Sequence, residues 1–106
     1  MARKIEKEFS GTSFHGEVVS ASVQDLIQAF GSPSYMHNTG EDKVNFEWLM
    51  ETESGELFTI YDWKEGRPLG LEETVEWHIG SYVSTHGQAE KEILEVLNLT
   101  TKFSKF

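Results

Sequence analysis

Cysteine is absent from the chain. That removes disulfide staples and thiolate metal sites together, and it fits a reducing compartment. Proline is scarce, with two residues in 106, too few to mark a linker or a domain boundary. No apolar run approaches the roughly 20 residues that cross a bilayer. The first residues, Met1-Ala2-Arg3-Lys4-Ile5-Glu6-Lys7, turn charged before the apolar centre of a secretory signal could form. Neither a membrane span nor a leader is expected. Basic residues are few, 9 against 18 acidic, for a net charge of −9. Such a field is repelled by nucleic-acid phosphates, so direct nucleic-acid binding is disfavoured. Excess acid serves solubility; its sharper reading is a partner with a basic surface, including one that itself binds nucleic acid. Catalytic signatures are missing as well. There is no Gly-x-Ser-x-Gly elbow, Walker loop or dinucleotide fingerprint, and no thiol nucleophile is available. The four histidines, at 15, 37, 78 and 86, show no metal-ligand spacing. No catalytic residue, cofactor or metal ion is expected.

What is present suits a single domain over residues 1–106, with a tail from about 100 that lacks a clear pattern and is expected to fray. Lys4–Phe9 alternates Ile5, Lys7 and Phe9 against two glutamates. Phe14–Ser20 follows the turn formers Ser10-Gly11-Thr12-Ser13, so the two segments read as a hairpin. Ser22 is a natural helix N-cap, with Asp25 in the first turn. Val23, Leu26, Ile27 and Phe30 then form one apolar stripe that Gly31 and Pro33 end. Val44–Met50, Leu57–Lys64 and Thr74–Gly80 read as strands with period two, the first joined to the second by a three-residue loop, Glu53-Ser54-Gly55. That loop sets Trp48 opposite Ile60 and Met50 opposite Phe58. A final helix starts at Thr85-His86-Gly87-Gln88, which has capping-box form, and carries the stripe Ala89, Ile93, Val96 and Leu97. The expected fold is α+β in the order β-β-α-β-β-β-α: an antiparallel sheet of about five strands with two single-striped helices on one face.

The same register builds a surface. If Phe58 and Ile60 face the helices, Thr59, Tyr61 and Trp63 project from the other face. Leu49 then lies beside Thr59, Glu47 beside Tyr61 and Asn45 beside Trp63, and the third strand adds Glu76 and His78. Aromatics mixed with polar groups mark a binding patch. The competing reading covers this face with the first hairpin or with the tail residues Phe103 and Phe106. Gly11-Thr12-Ser13-Phe14-His15-Gly16 is a candidate ligand loop, with Gly11, Thr12, Ser13, His15 and Gly16 offering backbone N–H groups and donors to an anion. It lacks Lys and Arg, and a hairpin turn needs the same residue types. Asp62, on the parity of Phe58 and Ile60, reads as a loop cap or as a partner of Lys64, Arg67 or His78.

The run Gly11-Thr12-Ser13-x-x-Gly16, Phe30-Gly31-x-Pro33, Glu47-Trp48, Thr59-Ile60-Tyr61-Asp62-Trp63-Lys64 and Trp77-His78-Ile79-Gly80 resembles a family of short uncharacterised proteins of tailed bacteriophages and prophages. The resemblance covers roughly Phe9 to Leu97; Ser81 stands where relatives have a second glycine. It carries over no activity and no site residue. It implies a phage gene product acting in the bacterial cytoplasm, where small non-enzymatic proteins bind and redirect host or defence factors. Three functions follow in order: an acidic accessory or inhibitor that binds a host or defence protein, with self-association through the same face; a nucleotide-type ligand held by the Gly-Thr-Ser loop with Tyr61 or Trp63 stacked on a base; and an enzyme using His78 with Asp62 or Glu76.

Overall fold

A computed structural model describes residues 1–104, and the side chains of residues 1–100. Among these the order is β1 (Arg3–Lys4), β2 (Ser13–Ser22), α1 (Val23–Phe30), β3 (Tyr35–Met36), β4 (Phe46–Glu51), β5 (Leu57–Tyr61), β6 (Thr74–Ser81) and α2 (Gln88–Ser104). The strands form one antiparallel sheet in the order β1-β4-β5-β6-β2, with β3 also on β4. The α+β class with an antiparallel sheet and two helices is as expected. β3 adds a strand too short to show periodicity in the sequence. No helix among the described residues is long and apolar enough to cross a membrane.

Alternation sorts the central strands. Phe46, Trp48 and Met50 of β4, Phe58 and Ile60 of β5, Val75, Trp77 and Ile79 of β6 and Val19 and Ala21 of β2 are buried on one face. Val23, Leu26 and Phe30 of α1 close over them with Ala89, Ile93 and Leu97 of α2. The expected apolar stripes of both helices are found there, with Ile27 and Val96 only half-buried at the margin. Both core indoles satisfy their N–H groups: Trp48 Nε1 donates to Gly31 O and Trp77 Nε1 to Ala21 O, each at 2.9 Å.

The β4–β5 hairpin has the expected register, with Trp48 opposite Ile60 and Met50 opposite Phe58. Gly55 takes φ 93°, the left-handed conformation that closes a three-residue loop and that glycine alone adopts without strain. Ser22 and Asp25 form a full capping box, each side chain bonded to the other's backbone N–H at 3.0 Å. At α2 the expected box does not close. His86 and Gly87 take positive φ, so the helix begins later. Thr85 Oγ1 instead accepts from Ala89 N–H at 3.2 Å, while Gln88 donates to Glu92 at 2.7 Å. Thr85 also donates to Glu17, a buried acid in β2. The helix continues through Thr100 to Ser104; Phe103 and Phe106, named above as a cover for the sheet, lie outside the described side chains.

The expected first hairpin is not formed. β1 lies against β4 and β2 against β6, at opposite edges of the sheet. Residues 5–12 therefore cross the face away from the helices as a strap. Ile5 N–H donates to Leu49 O at 3.0 Å, and Tyr82 Oη donates to Ser10 O at 2.6 Å. Phe9 packs on Tyr82 with ring centroids 6.1 Å apart. A Cβ placed on Gly80 would lie 2.8 Å from Thr59 Oγ1 and 3.0 Å from Thr12 Oγ1, so glycine is what lets the strap reach the sheet. Gly80→Ala is expected to cost about 1–3 kcal/mol by overpacking and to quicken proteolysis within residues 5–12. An unchanged melt with unchanged cleavage would place the strap elsewhere.

Candidate functional site

The strap divides the far face in two. Beneath it, Leu49 and Thr59 are buried, 9% and 4% exposed, which removes both from the expected binding patch. The cover is the strap rather than a hairpin. Beyond it the register aligns Tyr35, Glu47, Tyr61, His78 and Val18 across five strands. Tyr61 and His78 meet edge to face at 5.6 Å, and Tyr61 and Trp63 do so at 6.0 Å. Phe14 stacks on His78 at 4.2 Å and 18°. Phe14 reaches that position because β2 bulges: Phe14 pairs with Gly80 but Val18 with His78, so four steps on β2 span two on β6. The result is a row of rings, Phe14-His78-Tyr61-Trp63, whose two ends are 45% and 40% exposed. Glu76, on the same parity, is exposed beside it and pairs with Ser20.

Trp63 stands differently from expectation. Strand pairing ends at Glu47 and Tyr61, because Asn45 turns inward and is buried against Asp62. Trp63 is flanked instead by two cations, Lys43 Nζ at 5.9 Å and Lys64 Nζ at 5.3 Å from its ring centre. Lys64 N–H donates to Lys43 O at 2.8 Å, and Lys64 itself takes φ 52°, a left-handed conformation uncommon for a side-chain-bearing residue.

Across β4 from Tyr61, between the strap and β3, lies a groove of about 420 Å³. Its walls are Glu8, Phe9 and Ser10 of the strap and Ser34 and Tyr35 at β3; its floor is Glu47 and Leu49 of β4. Ser34 Oγ accepts Leu49 N–H at 2.9 Å, which pins that wall to the floor. Burial raises the Glu47 carboxyl above the usual carboxylate range. The Tyr61 phenol is raised by burial and then by Glu47. Tyr35 is raised by burial and then by Asp42, which accepts its hydroxyl at 3.3 Å.

The candidate ligand loop is not one loop. Gly11 and Thr12 belong to the strap, while Ser13, His15 and Gly16 belong to the bulged strand. His15 Nε2 lies 3.1 Å from Ser81 O, so its ring serves the sheet. Asp62 is fully buried and caps the turn into β4, accepting from Asn45 N–H at 2.9 Å, Phe46 N–H at 2.8 Å and Asn45 Nδ2 at 2.9 Å. It makes no hydrogen bond to His78 among the described residues, and His78 is occupied by Phe14 and Tyr61 on the opposite face. No group of three or more acids and histidines is placed to hold a metal ion among the described residues. What the row can do is recognise: flat rings held by one another, with a carboxylate beside Tyr61 and two lysines at Trp63. Tyr35 and Phe14 joined it without a sequence signal, because their positions depend on strand order and on the bulge. No family model, curated protein or solved structure matches the chain.

Proposed function

We propose that this protein is a non-catalytic binding protein whose uncovered aromatic row engages a protein partner. The observation that carries this reading is the row Phe14-His78-Tyr61-Trp63 on the sheet, its rings in mutual contact and its two ends exposed. Rings already fixed by their neighbours lose little side-chain freedom on binding, and aromatic anchors supply a large share of interface energy. The resemblance to small phage proteins supports a host or defence protein in the bacterial cytoplasm as the partner, with the chain as accessory or inhibitor. The net charge of −9 supports a basic surface on that partner. Capture from a bacterial lysate on immobilised wild type is the test, run beside Phe14→Ala and, as control, Lys91→Ala on the exposed side of α2. A specific partner is expected on wild type and on the control but not on Phe14→Ala, with capture weakening as salt rises to physiological strength. Equal capture by all three proteins would reject the row as the binding face.

One observation favours a second reading, a nucleotide-type ligand. Lys43 and Lys64 beside an exposed indole suit an anion that carries a planar ring. Trp48 and Trp77 are buried, so quenching of the accessible fluorescence on titration with adenosine monophosphate reports Trp63. Saturable quenching that Lys43→Ala weakens would favour this reading over the first.

A further inference from the structure

We infer that the groove between the strap and β3 receives an arginine side chain of the partner, one end of an interface whose other end is the aromatic row. The inference rests on the reading of that row as a partner-binding face. Glu47 lies half-buried on the groove floor, and its carboxylate makes neither an ion pair nor a hydrogen bond among the described residues. Three other cations of the chain have acidic partners of their own: Arg3 pairs with Glu51, Lys4 with Glu6 and Arg67 with Glu73. Around Glu47 stand Glu8 from the strap, Tyr35 from β3, Tyr61 from β5, and Glu41, Asp42 and Lys43 from the segment before β4. Lys43 is the one cation in that set and lies outside ion-pair distance. The site is thus a carboxylate without a counter-charge, between the rings Phe9 and Tyr35 and over the apolar Leu49.

That combination matches a guanidinium better than an ammonium. A guanidinium is planar, more weakly hydrated, stacks on aromatic rings and bonds a carboxylate through a fork of N–H donors. A cavity of about 420 Å³ gives it ample room. Charge complementarity points the same way, since the whole chain is strongly acidic. A bound cation would also supply what burial denies Glu47, a partner for its ionised form. A proton competes for the same oxygens, so affinity should fall as pH drops through the raised carboxyl range.

The probe is N-acetyl-argininamide, with the neutral N-acetyl-citrullinamide as control, titrated into the labelled protein and followed by backbone amide shifts. Saturable shifts confined to residues 8–10, 34–35, 47 and 49 are expected from the arginine compound, with at least tenfold weaker response to citrulline. Glu47→Gln should abolish them without lowering the melting temperature at neutral pH. Glu8→Gln, at an exposed position, should weaken them severalfold. Equal response to citrulline, shifts scattered over the acidic surface, or an unchanged response in Glu47→Gln would overturn the inference. Capture of the partner separates the two levels. A partner retained by Glu47→Gln but lost by Trp63→Ala would refute the arginine groove alone, whereas retention by both would refute the binding face itself.

Discussion

Replacing Trp48 by alanine is expected to cost about 3–5 kcal/mol, enough to leave a large unfolded fraction in a domain with about 5–15 kcal/mol of total stability. The indole is fully buried between β4 and the helices, edge-on to Trp77 at 5.6 Å and stacked near Phe46 at 6.3 Å. Its loss opens a cavity that Trp77 and Phe46 cannot fill without leaving their own contacts. It also strands the Gly31 carbonyl at the end of α1, where the indole N–H donates. A urea titration should show a large fall in midpoint with little change in slope. A midpoint close to wild type would mean that the β4 face does not look toward the helices.

Asp62→Ala is expected to be nearly as severe by a different route. Its two side-chain oxygens receive three donors, two of them the backbone N–H groups of Asn45 and Phe46 at the start of β4. Each buried donor left unpaired costs about 1–3 kcal/mol, so a loss of about 3–5 kcal/mol is expected once some water enters. Asp62→Asn keeps one acceptor oxygen but presents an amide N–H to another donor, and should fall between wild type and alanine. Amide exchange separates this effect from core loss. Asn45 and Phe46 should lose protection first, with the β5–β6 ladder less affected. Wild-type stability in Asp62→Ala would instead assign the acid no structural role and reopen the question of its chemistry.

Smaller and opposite in sign is the effect of Glu47→Gln on folding. Burial raises the folded-state pKa of this carboxyl above its unfolded value, so the folded protein holds that proton more tightly. The sign follows: stability from this group is present at low pH and is lost as pH rises through the raised value. At neutral pH the glutamine variant is free of that penalty and should melt at or above the wild-type temperature. At acid pH the difference should shrink. A lower melting temperature at neutral pH would show that the carboxylate has a stabilising partner.

Local patterns were the legible part of this fold. The capping box at Ser22 and Asp25, the turn at Gly55 and the β4–β5 register each depend on residues close in the chain, and each was readable from residue type and spacing. Partner choice for β1 and β2 was not. Ile5, Lys7 and Phe9 alternate as a strand would, yet alternation does not say which neighbour a segment pairs with. Here only Arg3 and Lys4 pair, and Phe9 serves the strap by packing on Tyr82. The capping-box spelling at Thr85 was overridden by the buried Glu17, which accepts the threonine hydroxyl's hydrogen bond, and by positive φ at His86 and Gly87. The candidate site was legible by half. Glu47, Tyr61 and His78 follow from strand parity alone, and Trp63 shares their face. Leu49 and Thr59 have the same parity but lie under a segment whose path is non-local, and Tyr35 and Phe14 needed the finished sheet to find their places.

Trp63→Ala, measured for stability and for association on one sample, tests the binding face most directly. Trp63 is 40% exposed and held by Tyr61, Lys43 and Lys64. The folding cost should stay near the ~0.5–1 kcal/mol of exposed cation–π contacts. The expected result is a melting temperature within a few degrees of wild type by circular dichroism, with partner capture, or self-association by light scattering, reduced at least tenfold. Unchanged melting with unchanged association would contradict a role for the row in binding, and strong destabilisation would make Trp63 a residue of the fold instead.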